Sequence, residues 1–134
     1  MKNVKVLVTT DGSNLSDKAI DTAVELAKQL NGELIGMTSV VGAAPEGGYE
    51  AEDAAVRDRL AAISRKAAEK DVPCEVVAEH TDAIWKGVLA CAVRHDASFI
   101  VMASRGLGSI GSLLLGSETQ KVLHQADRPV LIVR

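Results

Sequence analysis

The chain has 134 residues, 47% of them hydrophobic, and 15 Lys and Arg stand against 18 Asp and Glu for a formal net charge of -3. Such a length suits one domain over 1–134 whose core needs no metal or disulfide, and the charge balance gives no basic field to gather nucleic acid or an anionic membrane. Tyr49, Trp85 and Phe99 are the only aromatic residues, too few for base-stacking platforms. Cys74 and Cys91 form no C-x-x-C pair and the amino terminus has too short an apolar run for a leader or a membrane span, which points to the reducing cytoplasm.

"VKVLVTT" (Val4–Thr10) predicts a strand ended by Asp11-Gly12-Ser13, after which Ile20, Ala23, Ala27 and Leu30 recur at helical spacing. Asn31-Gly32 stops that helix, because both residues tolerate the left-handed cap conformation, and "ELIGMTSVV" (Glu33–Val41) predicts the second strand. "GAAPEGGYE" (Gly42–Glu50) has no periodicity and is expected to be the longest and most mobile loop. Val56, Leu60, Ile63 and Ala67 mark the next helix, Cys74–Glu79 the third strand, and Ile84, Val88, Cys91 and Ala92 a further helix. Strand four is Ser98–Ala103; a glycine-rich loop, a helix over Ser117–Gln125 and strand five over Arg128–Arg134 complete the chain.

Strands alternate with helices, and strands two to five read as apolar runs covered on both faces. The expected fold class is therefore α/β: a three-layer, doubly wound, Rossmann-like parallel sheet of five strands, order 3-2-1-4-5, with right-handed crossovers. Ligands in such sheets sit beyond the carboxyl ends of the strands where the order reverses, here between strands one and four.

The loop after strand four admits several readings. Gly106, Gly108 and Gly111 spell G-x-G-x-x-G, but Gly116 interrupts the helix that should follow and Asp127 precedes the last strand instead of ending it. "LGSIG" resembles a nucleophile elbow with Leu107 in place of the first glycine, and the acid and histidine that should follow Ser109 come in the reverse order, His124 before Asp127. No Walker A sequence exists, and "TTDGSN" lacks the S-G-G-x-D-S phosphate loop of ATP-using ligases. A bracket formed by Gly106 and Gly116-Ser117 fits better. Gly106 permits a tight turn, the amides opening the last helix can face a phosphate, and Arg105 adds the only cation from Ala103 to Ser117. A helix terminus supplies at most ~2 kcal/mol against the roughly 8 kcal/mol of micromolar binding, so a base must be buried too.

Other roles for these residues compete. Ser117 with Gln120 fits a capping box, Asp11 fits a turn former or helix cap, and Glu118 suits a helix amino end yet repels a phosphate there unless Mg²⁺ or water intervenes. His80, His95 and His124 are too scattered for a zinc site, and Cys91 and Trp85 read as packing residues.

"VLVTTDGSNLSDKAIDTAVELA", "IVMASRGLGSIGSLLLGSETQKVL" and "RPVLIVR" together resemble the universal stress protein family over essentially the whole chain. Its nucleotide-binding members carry G-x-x-G-x9-G-S/T after strand four; Ala103, Gly106, Gly116 and Ser117 occupy those positions, with alanine for the first glycine. The resemblance implies ATP or AMP, with Mg²⁺ optional, held by Thr9, Thr10, Asp11, Val40, Met102, Ala103, Arg105, Gly106, Gly116, Ser117 and Glu118. Val40 and Met102 would meet adenine, Asp11 the ribose or phosphates, and Ala103, Arg105, Gly106, Gly116, Ser117 and Glu118 the ribose and phosphates. It also implies a homodimer paired through Val130–Val133. The expected function is that of a cytoplasmic, stress-related nucleotide binder with at most slow ATP hydrolysis. The alternative, motivated by Ala103 and Glu118, is a nucleotide-free dimeric scaffold that docks a protein partner.

Overall fold

A computed structural model describes residues 3–106 and 115–134. The elements are β1 (Lys5–Thr9), α1 (Asn14–Gln29), β2 (Glu33–Val41), a short 3-10 turn (Gly48–Ala51), α2 (Ala54–Glu69), β3 (Cys74–Thr81), α3 (Ile84–Arg94), β4 (Phe99–Ala103), α4 (Ser117–Gln125) and β5 (Val130–Val133). The five strands form one parallel sheet in the order β3-β2-β1-β4-β5, the doubly wound arrangement expected.

Alternate residues of the central strands feed two cores. Val6 and Val8 of β1 pack with Ala19, Ile20 and Ala23 of α1 and Leu60 and Ile63 of α2. Leu7 points the other way, with Met37 and Met102, towards Val88 and Cys91 of α3 and Val122 of α4. The period of two in the strands and the period of 3.6 in the helices thus meet at the same layers. β3 departs from the expected doubly covered run. It is an edge strand with no fully buried residue, and its polar positions bind at the surface, Glu79 to Arg94 and His80 to Glu52.

Three helices end alike. Asn31, Asp71 and Asp96 adopt left-handed φ values of 54°, 57° and 52°. In each case the next residue donates its N–H to a carbonyl five positions back: Gly32 to Ala27, Val72 to Ala67 and Ala97 to Ala92, all at 2.9 Å. This is the Schellman closure, which satisfies carbonyls that a helix end leaves without intrahelical donors. In the Asn31-Gly32 stop it is asparagine that turns left-handed. Gly32 is needed because a Cβ there would lie 2.4 Å from the Val4 carbonyl oxygen. At the other edge of the sheet, the Arg128 guanidinium donates to the carbonyls of Ala92 and Ala97 at 2.9 Å each, fastening the approach to β5 onto the end of α3.

Gly36 sets the spacing between β2 and α2, since a Cβ at this position would fall 2.5 Å from Ile63 Cγ2 and 2.9 Å from its Cδ1. Overpacking of this kind costs about 1–3 kcal/mol. Gly36→Ala should lower the unfolding free energy by roughly that amount, read as a drop in urea midpoint with an unchanged m-value.

Candidate functional site

The end of β1 is knotted by hydroxyl groups. The Thr10 N–H donates to the Met37 carbonyl at 3.0 Å, and the Thr10 carbonyl accepts from Thr38 Oγ1 at 2.7 Å. Thr10 Oγ1 accepts from the Gly12 N–H at 3.1 Å and shares a proton with Ser16 Oγ at 2.9 Å. Thr10, Ser16 and Thr38 are all buried. Ser13 caps α1 by accepting the Ser16 N–H at 3.2 Å. Asp11 is therefore a turn former and not the cap: its Oδ1 accepts the Ser13 N–H at 2.9 Å.

Asp11 is thereby aimed across the sheet at the turn leaving β4. A Cβ on Gly106 would lie 2.0 Å from Asp11 Oδ2. The requirement for glycine here comes from that close approach, not from a left-handed turn, since Gly106 is absent from the positive-φ glycines. Gly116 has φ -60° and caps α4 with its backbone alone, while its N–H donates to the Ser104 carbonyl at 2.8 Å. A Cβ on Gly116 would sit 3.1 Å from Arg105 Cα, so the two ends of the loop touch through main chain. Gly108, Ser109 and Gly111 lie outside the described residues.

The capping box does not form. Gly116 holds the cap position with no side-chain cap bond, and Gln120 Nε2 donates instead to the Leu115 carbonyl at 2.7 Å. Ser117 is already the first helical residue, one place too late to cap. Ala103 is extended and outside the positive-φ set, and its methyl group packs with Val101 and Val133 in the α1-side core. An alanine there imposes no backbone strain. Its carbonyl accepts from Thr119 Oγ1 at 3.0 Å, which ties the first turn of α4 to the end of β4.

These residues surround a cleft of about 360 Å³, within the size range of small-ligand sites. Thr9, Thr10, Asp11, Met102, Ala103, Arg105, Gly106, Gly116, Ser117 and Glu118 all line it. Val40, expected at its apolar end, does not; it packs against the core on the α1 and α2 face. The apolar wall is made by Met102 with Ile84 and Val88, which occupy the first turns of α3. The helix starts that face the strand ends belong to the same edge as a ligand lying beyond those ends.

Arg59 of α2 is a second overlooked lining residue, its Nε 3.0 Å from where a Gly12 Cβ would stand. Its only sequence signal is its place beside Leu60 in the apolar stripe. Thr38 and Ser39, the polar break in the apolar β2 run, are a third group that the pattern of β2 already displayed.

The histidines and thiols have other tasks. His80 Nε2 meets Glu52 Oε2 at 2.7 Å, His95 Nε2 meets Glu75 Oε2 at 3.1 Å, and His124 is in the last turn of α4. Cys91 is fully buried on α3, and burial, reinforced by Glu79, pushes its thiol up to about 12. Cys74 is exposed, and desolvation raises its thiol by a smaller step.

A sequence profile of the universal stress protein family matches residues 3–134. The chain belongs to that family. Universal stress protein YxiE of Bacillus subtilis is 34% identical over 146 aligned positions, covering 97% of this chain and 98% of the relative. A universal stress protein of Thermus aquaticus is 51% identical over 49 residues, 37% of this chain and 36% of its own. Among solved structures, a universal stress protein in complex with cAMP superposes with a TM-score of 0.78 at 27% identity, covering all of this chain (100%) and 98% of its own. The Archaeoglobus fulgidus universal stress protein in complex with dAMP has the same fold, with a TM-score of 0.78 at 18% identity and complete coverage (100%) of both chains.

The raised Cys91 thiol makes two expectations. A folded value near 12 against an unfolded value near 9 means the native state holds its proton more tightly, so this stabilisation is complete below pH 9 and is lost as pH rises towards 12. Thiolate is the reactive form, and burial keeps Cys91 protonated and out of contact with solvent at pH 8. Iodoacetamide on native protein at pH 8 should label Cys74 and spare Cys91, with both labelled in urea, as read by intact and peptide mass.

Proposed function

We propose that the chain binds an adenine nucleotide, AMP or ATP, in the cleft between β1 and β4 and serves as a stress-related regulator through that ligand. One observation carries the reading: the uncapped amides at the start of α4 and the Arg105 backbone enclose one end of a cleft whose other end is apolar. An anion suits the first end and a base the second. The bound cAMP of the relative at 27% identity supports an adenine ligand. Asp11 faces the ribose or phosphates, Met102, Ile84 and Val88 take the base, and Arg59 and Arg105 supply the positive charge. Under this reading the protein is a binder, cytoplasmic, and any hydrolysis is slow and secondary.

Glu118 favours a second reading, a nucleotide-free scaffold, because its carboxylate lines the same cleft. Mass analysis of small molecules released on denaturing freshly purified protein separates the two, with a nucleotide expected. The homodimer belongs to either reading. β5 is an edge strand, and Leu131 on it is 41% exposed, an apolar invitation to a second copy.

Calorimetric titration with AMP should show binding, and Arg59→Met should weaken it about tenfold, or ~1.4 kcal/mol, with the melting temperature unchanged. No heat from AMP or ATP at high micromolar concentration, with folded protein, would overturn the nucleotide reading. Sedimentation at micromolar concentration should give a dimer, and Leu131→Asp a monomer. A monomeric native chain would remove the β5 pairing.

A further inference from the structure

The cleft contains one group that a phosphate site has no use for. Glu118 is the second residue of α4, beside Ser117 and Gly116, and it lines the cleft. Its Oε2 is shielded from solvent and has no hydrogen-bond partner among the described residues. A carboxylate oxygen so placed is costly, and no donor offsets its charge. The oxygens of an ionised polyphosphate are acceptors and cannot supply that donor.

Charge points the same way. Asp11 and Glu118 offset Arg59 and Arg105, the two cations that line the cleft. The stretch from 107 to 114, "LGSIGSLL", contains no ionisable side chain, so the loop between Gly106 and Gly116 brings no further cation whatever path it takes. A single phosphate group carries about two negative charges and can be met by the α4 amides and one guanidinium. Each additional phosphate adds negative charge that the remaining guanidinium, already offset by Asp11 and Glu118, does not balance, and it does so next to a carboxylate in a partly dehydrated space where repulsion is poorly screened.

We propose that Glu118 makes this cleft select adenine nucleotides with a single phosphate over ATP, by repelling a longer phosphate chain. The proposal rests on the nucleotide reading above and adds the phosphate count to it. Glu118 acts here as a specificity determinant through its charge, without taking part in any reaction.

The test is calorimetric titration of AMP and of ATP, each in EDTA so that no metal ion shields the phosphates, into the native chain and into Glu118→Gln. The amide keeps the shape of the side chain and removes its charge. The native chain should prefer AMP to ATP by about tenfold or more, and in Glu118→Gln ATP should gain about tenfold relative to AMP, so that the preference collapses. Native protein that binds ATP as tightly as AMP overturns the proposal by itself, with no need of the variant. An AMP-to-ATP ratio that is the same in both proteins, with matching circular dichroism, also overturns it while leaving nucleotide binding intact. Binding of neither nucleotide to the native chain brings down the nucleotide reading and this proposal with it.

Discussion

Everything at the ligand-facing edge depends on how β1 stops. Thr10 has its N–H, carbonyl and hydroxyl all engaged, to Met37, Thr38, Ser16 and Gly12, in a setting closed to solvent. A polar cluster that is fully paired inside a protein holds one geometry, because every alternative strands a buried donor or acceptor. The cluster turns the chain from β1 into α1 at one angle, and that angle delivers the Asp11 carboxylate to Gly106 on the neighbouring crossover. The two loops that flank the cleft are thus positioned relative to each other by hydroxyl groups of residues that themselves line it.

The glycines follow from this arrangement. Gly106 yields space to Asp11, and Gly116 yields space to the Arg105 backbone. Neither relies on a left-handed φ. The loop is therefore sensitive to volume more than to torsional freedom, and this explains why alanine is accepted at position 103, where the methyl group turns into the core and only the carbonyl faces α4. A branched side chain at Gly116 would wedge apart the junction of β4 and α4, so its effect on a ligand could not be separated from its effect on the fold.

The alternation of Val6, Leu7 and Val8 and the helical spacing of Ile20, Ala23 and Ala27 made the layers and the strand order legible, since both patterns demand covering on defined faces. Ten of the eleven expected site residues lie around one cleft, seven of them at or within three residues of the ends of β1 and β4 and the other three, Gly116, Ser117 and Glu118, at the start of α4. Arg59 was not legible. It comes from the middle of a helix, and only the packing of α2 on β2 through Gly36 brings it to the rim. Val40 lies away from the cleft lining for the opposite reason: it sits at a strand end, but the pleat turns its side chain to the far face. The exposure of β3 was legible in the expected order 3-2-1-4-5, which puts it at an edge, and in Glu75 and Glu79, which break its apolar run.

The three matching helix ends, at Asn31, Asp71 and Asp96, lie at the amino-terminal edge of the sheet, while the cleft opens at the carboxyl-terminal edge. Helix closure and cleft are consequently lodged at opposite rims of the same five strands. Sequence drift among the cleft loops leaves in place the closures that launch β2, β3 and β4.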